Sequence, residues 1–157
     1  MAAPMREGEH LWFLDSLVCV HVASAAGVDG LSVLEHQVPF GNSPPLHIHR
    51  TEDEVFHLVE GELRLKMGDE ERRVGPGQIV LAPKGTPHTY RIESRTGGRL
   101  VTVTAHGDFE RFIRAVGRRA ERIGLPTAAG RPTPEAVEAL AAVARKHGIE
   151  FVGPPLD

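Results

Sequence analysis

An all-β fold, an antiparallel sandwich or barrel with helices packed on it at the C-terminal end, is predicted by two features of the sequence. From Ser16 to about His106, runs of Val, Leu and Ile lasting five to ten residues alternate with Gly, Pro, Asn and Asp. Short strands with frequent turns characterise antiparallel sandwiches and barrels. After His106 the apolar period lengthens: Phe109, Phe112, Ile113 and Val116 recur as on one face of a helix. The 157 residues suit a single domain, residues 1–157, with a β-core over about 16–106 and a helical segment over about 108–157.

Taken in order, the expected strands are Ser16–Ser24, Leu31–Phe40, Leu46–Arg50, Glu54–Glu60, Glu62–Met67, Glu70–Val74, Gln78–Leu81, His88–Glu93 and Arg99–His106. Gly27-Val-Asp-Gly30, Met67-Gly-Asp-Glu70 and Gly75-Pro-Gly77 are turn signals between them. Asp108 is the expected N-cap of a first helix reaching Gly117 or slightly beyond. A Gly- and Pro-containing linker, Gly124 to Pro132, follows. Thr133 then caps a second helix with Pro134 at its first position, stopped by Gly148. The tail Ile149–Leu156 is apolar and Pro-rich, and both helices are expected to pack on the β-core, being too short to fold alone.

Charge and composition exclude several function classes. The formal net charge is −3 with acidic and basic residues interspersed, so nucleic acid is not an expected partner. No run reaches the ~18–20 uninterrupted apolar residues of a membrane span. The stretch Leu11–Ala26 is interrupted by Asp15 and carries His21, while Glu7 and Glu9 offset Arg6. It is therefore read as a leader entering a first strand rather than a signal peptide. A single cysteine, Cys19, permits no internal disulfide and fits a reducing, cytoplasmic setting.

Three histidines and a carboxylate stand at spacings suited to a metal site. His47 and His49 are two apart. On a strand this puts both imidazoles on one face, about 6.6–7 Å apart along the backbone. Glu54 follows five residues later, and His88 arrives 34 residues after it, bounded by its own Gly and Pro punctuation. Glu52 and Asp53 are alternatives to Glu54, which the spacing favours. Mixed imidazole and carboxylate ligation suits one divalent transition metal ion: Fe, Mn, Ni, Co or Zn.

The punctuation around these residues resembles the cupin superfamily. Gly41, His47, His49, Glu54 and Gly61 fill its first motif, Gly-x5-His-x-His-x4-Glu-x6-Gly. Gly77, Pro83, Gly85 and His88 fill the second, Gly-x5-Pro-x-Gly-x2-His-x3-Asn, except that Ile92 stands at the final Asn. The resemblance implies a jelly-roll barrel (an antiparallel double-stranded β-helix) with a metal at its centre. The ligands would be His47, His49, Glu54 and His88, with one or two open positions. Trp12-Phe-Leu, Pro44-Pro45, Phe109 and Phe112 make the chain similar to small single-domain, quercetinase-like cupins. A homodimer is expected from the family and from strand edges that need covering.

Strand parity extends the site. If Glu54 points inward, so do Phe56 and Leu58; if His88 does, so do Tyr90 and Ile92. These four make an apolar lining with one phenol. With no inward Arg or Lys, the lining argues for an apolar or aromatic small-molecule substrate. A dioxygenase acting on a small aromatic or enolisable substrate is the expected function, with Glu54 as ligand, base or both. A metal-dependent isomerase, decarboxylase or lyase and a non-catalytic small-molecule binder are the alternatives. His36 is read as a core or pocket-wall residue, His57 as outward-facing, and Cys19 as a small core residue. The Arg-rich stretch Arg111–Arg122 is read as a solvated helix face.

Overall fold

A computed structural model describes residues 8–157; residues 1–7 of the N-terminal segment lie outside the described residues. In chain order the elements are β1 (Glu9–Phe13), β2 (Ser16–Val22), β3 (Ser32–Val38), β4 (Leu46–His49), β5 (Glu54–Glu60), β6 (Leu63–Met67), β7 (Glu70–Val74), β8 (Ile79–Ala82), β9 (His88–Ile92) and β10 (Gly98–Thr104). Then come α1 (Asp108–Val116), the two-residue β11 (Arg118–Arg119), α2 (Pro134–Lys146) and β12 (Ile149–Gly153). The strands form two antiparallel sheets, ordered β11-β1-β2-β3-β10-β5-β8 and β12-β4-β9-β6-β7. This is the expected jelly roll with C-terminal helices packed on it.

Three expectations need correction. The leader is itself a strand: β1 pairs with β2 through Glu9↔Val20 to Phe13↔Ser16. The apolar tail also contains a strand, because β12 pairs with β4 (Ile149↔His49, Phe151↔His47) and covers its edge. Neither run shows enough alternation to be read locally; each is a strand because an open sheet edge offers it backbone partners. The N-cap of α1 is Gly107, at φ 72, and no side chain caps from that position. Asp108 is the first helical residue, where its carboxylate accepts from Thr51 and Arg111 instead. Thr133 does cap α2, its hydroxyl oxygen accepting from the Ala136 N–H at 3.2 Å.

The interior is tiered along the strands. Val38, Phe56, Leu58, Leu63, Leu65, Ile92 and Leu100 belong to one apolar cluster between the sheets. Leu11, Val18, Val20 and Leu34 pack with Ile113 of α1, which seals the opposite part of the sandwich. A third cluster joins Phe112, Ala144 and Ile149, tying both helices to β12. Between the ends, β5 and β9 each place three inward residues in steps of about 6.6–7 Å: Glu54 and His88, then Phe56 and Tyr90, then Leu58 and Ile92. No helix among the described residues is long and apolar enough to cross a membrane.

The basic stretch after α1 is more than a solvated face. Arg118 and Arg122 lie over the Trp12 ring at 4.5 and 5.7 Å, and the indole N–H donates to the Gly124 carbonyl at 2.8 Å. These contacts fasten the β1 hairpin to the segment beyond α1.

Candidate metal centre

Three strands and two turns bring the four residues together. His47 on β4 is directly opposite His88 on β9, and Glu54 opens β5 on the facing sheet. Gly85, at φ +84, lets the loop before β9 turn sharply, and its N–H donates to the His49 carbonyl at 2.8 Å. Gly61, at φ +86, closes the β5–β6 turn where a Cβ would meet the Gly97 carbonyl at 2.7 Å. The motif glycines are thus backbone requirements that set where the ligand strands begin and end.

The ligand atoms of His47, His49, Glu54 and His88 all lie within 4.8 Å of one another. His49, Glu54 and His88 are buried, at 2, 1 and 1% exposure; His47 is half-buried. His47 Nδ1 lies 2.8 Å from the Pro45 carbonyl and His88 Nδ1 3.0 Å from the Thr86 carbonyl. A carbonyl only accepts, so each Nδ1 carries a proton and each ring aims its Nε2 into the site. Glu54 Oε2 stands 3.2 Å from His88 Nε2 and 3.1 Å from His49 Nε2. Neither ring nitrogen of His49 has a hydrogen-bond partner, although both are buried. Buried ring nitrogens converging on a carboxylate at this distance call for a positive charge among them. The donor set therefore fits a divalent ion.

The electrostatics agree. Burial, reinforced by His88 and His49, pushes His47 down to about 3, so it is neutral. Burial alone would also lower His49, but Glu54 and Glu52 outweigh it and raise this histidine to about 9. Burial opposes ionisation of Glu54, yet His49 and His88 hold its carboxyl well below the usual range. Without a metal, a proton on His49 supplies the positive charge that the site demands.

The surrounding walls mix expected and unexpected residues. Phe56 meets His88 edge-on at 5.7 Å and Tyr90 at 6.2 Å. Burial, with Glu54 and Asp15 nearby, raises the Tyr90 phenol above its ordinary value, so it stays protonated. Leu58 and Ile92, at 1 and 0% exposure, sit one tier deeper. The cavity lined by Phe56, Leu58, Leu63 and Tyr90 measures about 10 Å³, room for about one water. His36 is buried: Nε2 lies 2.9 Å from the Thr102 hydroxyl, and burial lowers it to about 4 against the pull of Glu54. His57 sits on the opposite side of β5 from Phe56, away from the ligands. Asp53 also points elsewhere, accepting from the Lys84 N–H at 2.8 Å.

Two participants were not legible. Phe109, from α1, stacks on His36 at 5.9 Å and meets His49 edge-on at 5.6 Å. Glu52, considered above only as an alternative ligand, accepts backbone N–H groups from His106, Asp108 and Phe109. It caps a helix whose start is more than 50 residues away, a distance over which no local capping signal exists.

Residues 34–104 match the Cupin_2 family, described as a cupin domain. Residues 34–104 form a cupin domain. This cupin is 31% identical to quercetin 2,3-dioxygenase of Bacillus subtilis over 112 residues, 71% of the chain and 33% of that protein. It is 32% identical to dimethylsulfoniopropionate lyase DddQ of Ruegeria pomeroyi over 102 residues, 62% of the chain and 49% of that protein. The chain thus spans between one third and one half of the length of these relatives. Among solved structures, the cupin shares its fold with the polyketide cyclase RemF from Streptomyces resistomycificus, with a TM-score of 0.52 and 23% identity. That match covers 65% of this chain and 70% of RemF.

Proposed function

We propose that this cupin binds one divalent transition metal ion through His47, His49, Glu54 and His88 and acts as a dioxygenase on a small aromatic or enolisable substrate. The observation that carries the proposal is the convergence of four ligand atoms within 4.8 Å, two of them histidine nitrogens locked by Nδ1 hydrogen bonds. When bound, such an ion would polarise an enol or phenol and hold it beside dioxygen. The 31% identity to a quercetin 2,3-dioxygenase supports the oxygenase reading. Glu54 is ionised at neutral pH, available as ligand and as acceptor of a substrate proton. Phe56 and Tyr90 would form the near wall of the substrate site, the phenol donating a hydrogen bond, with Leu58 and Ile92 as the apolar floor behind them. The half-buried His47 marks the side of approach.

A metal-dependent lyase, isomerase or decarboxylase is the second reading, favoured by the 32% identity to a dimethylsulfoniopropionate lyase. The same residues would then serve without dioxygen. Elemental analysis of protein purified without chelators, beside the His47→Ala, His49→Ala double variant, tests the shared claim. Bound metal in the first and none in the second is expected; equal metal in both would sink it. Oxygen uptake across a panel of flavonols and phenols then supports the dioxygenase, whereas turnover under strict anaerobiosis overturns it in favour of the second reading.

A homodimer belongs to the same proposal. On the outer face of the longer sheet, Val33, Val103, Val55 and Leu81 stand in one cross-strand row, and Val101, His57 and Ile79 in the next. Ile79 and Leu81 are 66 and 52% exposed on the edge strand, which no charged residue of β8 protects. Light scattering at micromolar concentration should give twice the chain mass, and Leu81→Lys should halve it. A monomeric parent protein would end this part of the proposal.

A further inference from the structure

The three histidines of the site are held in two different ways. His47 and His88 each lean on a carbonyl two residues earlier in their own strand or turn, Pro45 and Thr86. Their orientation is therefore set within the barrel. His49 has no such carbonyl. Glu52 Oε1 lies 3.8 Å from its Nδ1, and the Glu52 carboxylate is buried. That distance is just beyond a hydrogen bond.

The same carboxylate holds α1. Oε1 accepts the Phe109 N–H at 2.7 Å, and Oε2 accepts those of His106 and Asp108 at 3.0 and 3.3 Å. Three backbone donors that would otherwise be orphaned at the start of a helix converge on one anion. The Phe109 ring then meets the His49 ring edge-on at 5.6 Å. A buried anion satisfied by one element and facing an unpartnered histidine nitrogen of another links the two elements energetically.

We infer that Glu52 is a positioning residue that couples metal loading at His49 to the seating of α1, an inference that rests on the metal-binding reading above. A ligand histidine gains basicity and a fixed ring orientation when its other nitrogen donates to a carboxylate. Closure of the Nδ1–Glu52 gap on metal binding supplies that donation. The same closure pulls on the carboxylate that anchors His106, Asp108 and Phe109. Coupling between two sites is reciprocal, so whatever loosens α1 must weaken the metal, and the metal must steady α1.

Co(II) alone is the probe, titrated against a chromophoric chelator, with hydrogen exchange followed at the α1 amides. Glu52→Gln keeps one acceptor oxygen but loses the charge, and should weaken Co(II) about 10–100-fold. Thr51→Val, which removes the surface hydrogen bond from Thr51 to Asp108 and leaves the Glu52 anchor in place, should leave Co(II) affinity within about twofold. In the parent protein, Co(II) should slow exchange at His106, Asp108 and Phe109. If Glu52→Gln binds Co(II) as tightly as the parent, Glu52 is a helix cap only and the inference is overturned. If that variant does not fold, unchanged α1 exchange on adding Co(II) to the parent overturns it equally. A parent protein that binds no Co(II) would instead remove the metal-binding reading, and the inference with it.

Discussion

His88 Nε2 and Glu54 Oε2 face one another at 3.2 Å, while Nδ1 of the same ring donates to the Thr86 carbonyl. Nε2 is therefore the nitrogen left to face the carboxylate, and a cation placed between the two would be held by both. Metal binding should accordingly stabilise the fold. At a free Co(II) concentration of 100 Kd the gain is about 2.7 kcal/mol. For a domain of this size that corresponds to a rise in Tm of about 5–11 °C. Calorimetry with and without Co(II), after removal of metal with a chelator, measures it. His88→Ala should abolish the rise; an equal rise in the variant would show that the metal binds elsewhere.

Ile92 occupies the position where the resembled motif has Asn, and it is 0% exposed within the apolar cluster. It fits closely: a Cβ added to Gly98 would meet its Cδ1 at 3.1 Å. Ile92→Asn would lose apolar burial and bury an amide with no partner. We expect a loss of at least about 3 kcal/mol in urea unfolding. A change below about 1 kcal/mol would mean that the deep tier is wet, which would also alter the proposed substrate floor.

The cluster of His47, His49, Glu54 and His88 and the tiers behind it were legible because the information is local. Spacing of two puts His47 and His49 on one strand face, and parity carries Glu54 to Phe56 and Leu58. The Gly and Pro punctuation marks turns that only those residues make readily, as Gly61 and Gly85 illustrate. What sequence reasoning missed was non-local. β1 and β12 are strands because sheet edges accept them, and Glu9–Phe13 and Ile149–Gly153 read by themselves as leader and tail. Asp108 has the composition of an N-cap, yet Gly107 takes that position and the buried Glu52 supplies the acceptor from another part of the chain.

Glu35 predicts a pH dependence away from the metal site. Burial would raise its carboxyl, but contact with His21 at 2.5 Å and the hydrogen bond and charge of Arg99 at 2.8 Å outweigh this and hold it below the usual value. A carboxyl depressed in the folded state stabilises above its unfolded pKa, about 4.3, and that contribution fades as pH falls through the folded value. Glu35→Gln should therefore cost about 1–3 kcal/mol at pH 7. Denaturation at a series of pH values should show the gap between parent and variant narrowing below about pH 4. A gap independent of pH would assign the cost to packing rather than charge.

Phe112 joins the helices to the strand that protects the ligand-bearing edge. Its ring meets Phe13 of β1 edge-on at 5.5 Å, and it packs in one cluster with Ala144 of α2 and Ile149 of β12. β12 in turn pairs Ile149 with His49 and Phe151 with His47. Phe112→Ala opens a cavity at this junction and should cost about 3–5 kcal/mol. The loss should not be uniform. Hydrogen exchange should rise first in α2 and β12, whose packing depends on the ring. β5 and β10, paired along their length in the longer sheet, should retain their protection. If exchange rose equally in β5 and β10, the helices and the jelly roll would be one cooperative unit. β12 would then be no separable cover over the strand that carries His47 and His49.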